Sequence, residues 1–148
     1  MYGSSGSWYY STLAGLKRAP GSRSWRDLII APPAPGTLSN LTWVNASIDT
    51  PIGLVGCSWS VSPSPKIRGV RFTVHAIVPS NARAKIVMPV DPGLVIKEGG
   101  VNVWASGLFL EGTVVGVVAA YAEAAGDAVT FDVGSGTYLF TVDTTVNL

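Results

Sequence analysis

The sequence predicts an all-β fold, an antiparallel β-sandwich of jelly-roll or Greek-key type carrying one short N-terminal α-helix. Three observations predict it. Apolar and polar residues alternate with a period of two, most clearly where Val70, Phe72, Val74, Ala76 and Val78 interleave with Arg71, Thr73 and His75. Turn residues recur between such runs, as at Pro63 and Pro65, Pro79-Ser80-Asn81, Asp91-Pro92-Gly93 and Gly134-Ser135-Gly136. No helical periodicity separates the runs, so the connections suit neighbouring antiparallel strands rather than helical crossovers.

The 148 residues read as a single domain: a helix over 1–17, a linker with one short strand over 18–36, and the sandwich over 37–148. Ser4 or Ser5 can cap the helix, and Tyr9, Leu13 and Leu16 recur on one side of it with Trp8 adjacent. A helix this short is marginal alone in water, so Trp8, Tyr9, Leu13 and Leu16 are expected to form an interface. Trp25 to Ala31 suits a short buried strand, stopped by Pro32, Pro33 and Pro35. Leu41 to Val61 reads as a hairpin turning at Asp49-Thr50-Pro51-Ile52-Gly53, where Asp can cap its own backbone and Gly allows a positive φ. Further strands are expected over 68–78, 84–90, 94–96, 101–104, 114–121, 128–133 and 137–142. The last two flank Gly134-Ser135-Gly136.

Composition excludes several classes. The net charge of +1 argues against a nucleic-acid partner. The longest apolar run, Val114 to Ala122, is far short of a membrane span. Charged residues make up only 13%, against roughly 25% in an average soluble domain, so part of the surface is expected to be covered by another domain or another copy. Residues 1–90 hold nine Lys/Arg against two Asp/Glu, and residues 91–148 one against seven. That split fits either internal pairing or complementary surfaces on different copies. No basic segment followed by an apolar run opens the sequence, so no signal peptide is read there; the compartment stays open, with an extracellular setting only weakly favoured.

Candidates for chemistry are few. Cys57 is the single cysteine and lies on an inward register, which predicts an inert structural thiol and excludes an internal disulfide. His75 is the single histidine, on an outward register without a Ser or Cys partner, so neither a triad nor a metal site is expected. The nine carboxylates fall in turns or outward registers, with no opposed pair of the kind glycoside hydrolysis requires. No catalytic residue, metal or cofactor is therefore predicted. Among the five tryptophans, Trp59 shares the face of Val55 and Val61 and reads as core. Trp43 and Trp104 share faces with Asn45 and Asn102, so they could be exposed and are candidates for stacking on carbohydrate, although core or interface packing is the favoured reading for both. Asn40-Leu41-Thr42 and Asn45-Ala46-Ser47 match the N-glycosylation acceptor pattern at Asn40 and Asn45.

Read together, MYGSSGSWYYSTLAGL, WRDLIIAPP, LTWVNASIDTPIG, FTVHAIVPSNARAKIVMPV and FDVGSGTYLF resemble, in this order, the C-terminal end of bacterial-type α-L-rhamnosidases. The resemblance implies that the first segment is the last helix of an (α/α)6 catalytic barrel and the rest a C-terminal β-sandwich packed on it. It places the catalytic carboxylates in the barrel, upstream of this chain, so no catalytic role is carried over to any residue here. A histidine typical of the family before the Met-Tyr-Gly-Ser segment is missing, and the region 101–127 is longer and more apolar than the family pattern. The expected function is a non-catalytic accessory domain that stabilises or borders a rhamnoside-hydrolysing domain. The alternatives are a stand-alone structural subunit that self-associates into an oligomer or filament, and a carbohydrate-binding module.

Overall fold

The computed structural model describes residues 9–22, 24–38 and 41–145. A single helical turn, Tyr9–Leu13, precedes twelve strands. These are β1 (Leu16–Arg18), β2 (Asp27–Ile30), β3 (Trp43–Thr50), β4 (Gly53–Pro63), β5 (Val70–Val78) and β6 (Arg83–Met88), then β7 (Ile96–Glu98), β8 (Val101–Ala105), β9 (Leu108–Phe109), β10 (Val117–Ala122), β11 (Val129–Val133) and β12 (Gly136–Thr144). They form a five-stranded sheet in the order β1-β2-β6-β11-β10 and a seven-stranded sheet in the order β3-β4-β5-β12-β7-β8-β9. The expected sandwich is thus present, with one departure from antiparallel pairing: β2 lies parallel to β6.

The expected helix over 1–17 is a second departure. Within the described residues the helical turn stops at Leu13, and Leu16–Arg18 pairs with β2 as an edge strand. Gly15 is the physical reason. Its φ of +77° turns the chain out of the helix, and the Ala31 amide donates to its carbonyl at 2.9 Å. A Cβ at this position would stand 2.2 Å from the Ala31 carbonyl oxygen, so only glycine allows the approach. The short buried strand expected at Trp25 to Ala31, within the segment 18–36, is present as β2, an interior strand of the five-stranded sheet.

The expected alternation is borne out on β5, where Val70, Phe72, Val74, Ala76 and Val78 are all buried. The β3–β4 hairpin keeps continuous register from Trp43 opposite Ser60 to Thr50 opposite Gly53. Its turn is closed by Thr50 rather than Asp49: the Thr50 hydroxyl donates to the Gly53 carbonyl at 2.6 Å, and the Ile52 amide donates to that hydroxyl at 3.3 Å.

Between the sheets lies one aromatic-rich core. Phe72, Phe131 and Phe140 are fully buried, and the Phe131 and Phe140 ring centroids are 4.8 Å apart. Phe131 comes from the five-stranded sheet and Phe140 from the seven-stranded one, so this contact joins the two layers. Aromatic pairs of this kind contribute about 0.5–1.5 kcal/mol beyond area burial. Polar tips in the core are satisfied: Trp59 Nε1 donates to the Leu13 carbonyl at 2.7 Å, Trp104 Nε1 to Pro92 at 2.8 Å, and Tyr138 Oη to Gly134 at 2.8 Å. The first of these fastens the helical turn to the sandwich. No helix among the described residues is long and apolar enough to cross a membrane.

Candidate functional site

A sandwich has two outer faces, and here they differ in chemistry. On the five-stranded sheet, the outward positions of β2, β6 and β11 carry Asp27, Arg83, Lys85 and Asp132, brought side by side by the register. Asp27 lies opposite Arg83, and Lys85 opposite Asp132. Arg83 Nε donates to Asp27 Oδ1 at 2.6 Å, and Lys85 Nζ donates to Asp132 Oδ1 at 2.7 Å. Lys85 also lies 3.3 Å from Tyr121 Oη and over the Tyr121 ring. Asp27 holds the Arg83 guanidinium, and Asp132 the Lys85 ammonium, above their ordinary pKa values. These side chains floor a cleft of about 680 Å³, walled by the turn Ala19-Pro20-Gly21-Ser22 on one side and by Val118 on the other. The volume falls within the range of roughly 300–1,000 Å³ usual for small-ligand sites.

On the seven-stranded sheet the outward face is flatter and built of small hydroxyl side chains. One row crosses four strands as Trp43, Ser60, Thr73 and Thr141; the next holds Asn45, Ser58, His75 and Leu139. Trp43 is 66% exposed on the edge strand β3. The expected outward placement of His75 is borne out, half-buried between Ser58 and Leu139. At one end of this face Arg71 holds Asp143 through two bonds, Nε to Oδ1 at 3.0 Å and Nη2 to Oδ2 at 3.1 Å, and Ser64 Oγ donates to the same carboxylate at 2.8 Å. The Arg71 bonds hold Asp143 below the usual carboxylate range. Nearby, the Lys66 amine pushes Lys97 below the ordinary lysine range.

The remaining residues singled out in the sequence separate clearly. Trp104 is a correction: it is 3% exposed, edge-on to Phe131, and offers no ring face to a sugar. A bulge causes this. Ile96 pairs with Trp104 and Lys97 with Asn102, so Val103 is the extra residue, and it shifts Trp104 off the face of Asn102 and into the core. Leu16 is buried within the sandwich itself, and Leu13 is half-buried against the core. Trp8, the Tyr9 side chain and Asn40 lie outside the described residues. Asn45 is exposed on β3 and accepts a hydrogen bond from Ser58 Oγ at 2.8 Å. Cys57 is 1% exposed, and burial pushes its thiol up to about 12. No cluster of three or more His, Cys, Asp or Glu suited to a metal occurs among the described residues.

Of the two charge readings, internal pairing accounts for part of the imbalance. Arg71–Asp143 and Lys85–Asp132 join the basic and acidic portions, while Asp27–Arg83 lies within the first. Sequence reading missed the cleft. Its only local signal is a set of charged residues on outward strand positions, and their convergence depends on strand order.

The chain is similar to known proteins over most of its length. Residues 15–102 match the model of the bacterial alpha-L-rhamnosidase C-terminal domain. An alpha-L-rhamnosidase of Formosa agariphila is 31% identical over 103 residues, and one of Streptomyces avermitilis is 30% identical over 142 residues. Those alignments cover 68% and 95% of this chain but only 10% and 11% of the relatives' own lengths. Among solved structures, the alpha-L-rhamnosidase of Dictyoglumus thermophilum shares the fold with a TM-score of 0.69 at 24% identity, over 97% of this chain and 14% of that one. The Streptomyces avermitilis enzyme, solved with L-rhamnose, gives a TM-score of 0.65 at 29% identity, over 96% of this chain and 11% of that one. With residues 15–102 matched by the family model, the chain belongs to the bacterial α-L-rhamnosidase C-terminal domain family.

Proposed function

We propose that this chain is a non-catalytic accessory domain that stabilises a rhamnoside-hydrolysing catalytic domain. The observation that carries the reading is the match to the C-terminal domain, in relatives roughly seven to nine times as long as this chain. The chemistry of the described carboxylates supports it. Glycoside hydrolysis uses two carboxyl groups about 5–9.5 Å apart across a substrate, one of them free to give up a proton. The cleft carboxylates Asp27 and Asp132 are each tied to a cation instead. The helical turn fastened by Trp59 to the sandwich is a suitable rigid joint to a preceding domain. The whole chain acts in this reading as one domain.

The test is calorimetric unfolding of a protein carrying the catalytic domain ahead of Tyr9. One cooperative transition, split in two by Trp59→Phe because the indole bond to Leu13 is lost, is the expected result. Two independent transitions in the unaltered protein overturn the stabilising role.

A second reading, self-association, is favoured by one observation. Leu108, Val115 and Val118, exposed by 67%, 97% and 69%, lie on or beside the edge strands β9 and β10. Exposed apolar edges of this kind promote association. A light-scattering mass that stays monomeric as concentration rises excludes it.

A further inference from the structure

We infer that the cleft on the outer face of the five-stranded sheet binds a neutral, hydroxyl-rich ligand, a pyranose unit presenting a vicinal diol. The inference goes beyond the accessory role and does not rest on it. The floor carries two cations and two carboxylates, Arg83 with Asp27 and Lys85 with Asp132, so its formal charge is zero. An anion approaching Arg83 or Lys85 meets the neighbouring charge of Asp27 or Asp132, and a metal ion approaching either carboxylate meets the paired cation. A neutral hydroxyl meets neither repulsion. It donates to a carboxylate oxygen through its proton and accepts from an ammonium or guanidinium through its lone pairs. A vicinal diol does both from adjacent carbons, matching a cation and a carboxylate held 2.6–2.7 Å apart.

Cross-strand pairing places each cation beside its carboxylate, and Lys85–Asp132 is the less exposed of the two pairs. The walls suit the rest of such a ring. Val118, 69% exposed at the bulge of β10, and Pro20 on the opposite turn give the apolar contact that the C–H face of a pyranose requires. Tyr121 Oη, 3.3 Å from Lys85 Nζ, helps to place that ammonium at the edge of the cleft. Trp43 has no part in this site, since it stands on the other sheet.

The experiment is an NMR titration of the isotope-labelled chain with methyl α-L-rhamnoside, methyl α-D-mannoside, galacturonate and inorganic phosphate. The neutral glycosides should perturb the Gly21, Arg83, Lys85, Val118 and Asp132 amides saturably, with a Kd on the order of 1 mM. Phosphate should leave those amides unmoved, and galacturonate, a pyranose with an added charge, should bind more weakly than the neutral glycosides. Lys85→Met and Asp132→Asn should each weaken the glycosides about tenfold, the loss of one charge-assisted hydrogen bond. Val118→Ser, at an exposed position, removes the apolar contact and should weaken them as well, and Trp43→Ser should not. Absence of saturable shifts, shifts confined to the Trp43 face, preference for phosphate, or unchanged affinity in Val118→Ser each overturn the inference.

Discussion

The two outer faces of this sandwich arise from the same alternation, yet they solve the problem of an exposed sheet differently. The five-stranded sheet meets solvent with cross-strand ion pairs, Asp27–Arg83 and Lys85–Asp132, that line a cleft. The seven-stranded sheet meets it with Ser58, Ser60, Thr73 and Thr141, and concentrates its charge at one end around Asp143. Alternation determines which residues face outward. Strand order determines which of them meet, and so whether an outer face holds a cluster or a plain.

The strongest way to break the comparison is to remove the core that both faces share. Phe131→Ala and Phe140→Ala each delete one ring of the contact between the sheets, and each should cost about 3–5 kcal/mol in urea unfolding. Equal losses from the two sides are expected because either deletion opens the same space. A loss below about 1 kcal/mol for one of them would mean that the layers are not packed through this pair.

A smaller effect separates the faces by pH. Arg71 holds Asp143 below its unfolded value of about 3.9, so the pairing stabilises the folded chain above about pH 4. That contribution is lost as the pH falls through the folded-state value. Unfolding midpoints measured across this acid range should fall less steeply in Asp143→Asn than in the unaltered chain. Parallel profiles would remove the ion pair from the account of the seven-stranded face.

The smallest effect on the chain itself belongs to Trp43. It is 66% exposed at an edge, so Trp43→Ser should change stability by no more than about 0.5 kcal/mol. A much larger loss in thermal melts would show that the indole is packed against the sandwich and is not a free surface group.

Most of the fold was legible in the sequence because most strands are long enough to show a period of two. β5, with five buried residues alternating over Val70–Val78, is the clearest case. β1 was not legible, since three residues carry no period and Leu16 also continues a helical stripe with Tyr9 and Leu13. The decisive residue there is Gly15, whose meaning lies in its approach to Ala31, a contact that local pattern does not encode. Trp104 misled for a related reason: one bulged residue, Val103, reverses the face of everything after it on the strand. The candidate site was the least legible part. Asp27, Asp132 and the two β6 cations Arg83 and Lys85 come from three distant stretches of the chain, and only the β2-β6-β11 order gathers them. Trp43 was only half legible: its alternation with Asn45 allows an exposed ring, yet core or interface packing is the favoured reading, and the ring is 66% exposed.

The central claim is that this domain accompanies rhamnoside hydrolysis without performing it. The most direct measurement is release of the aryl group from an aryl α-L-rhamnoside by the purified chain, beside Asp27→Asn and Asp132→Asn. The account predicts no turnover above buffer in any of the three. Turnover by the unaltered chain that disappears in either variant would contradict it.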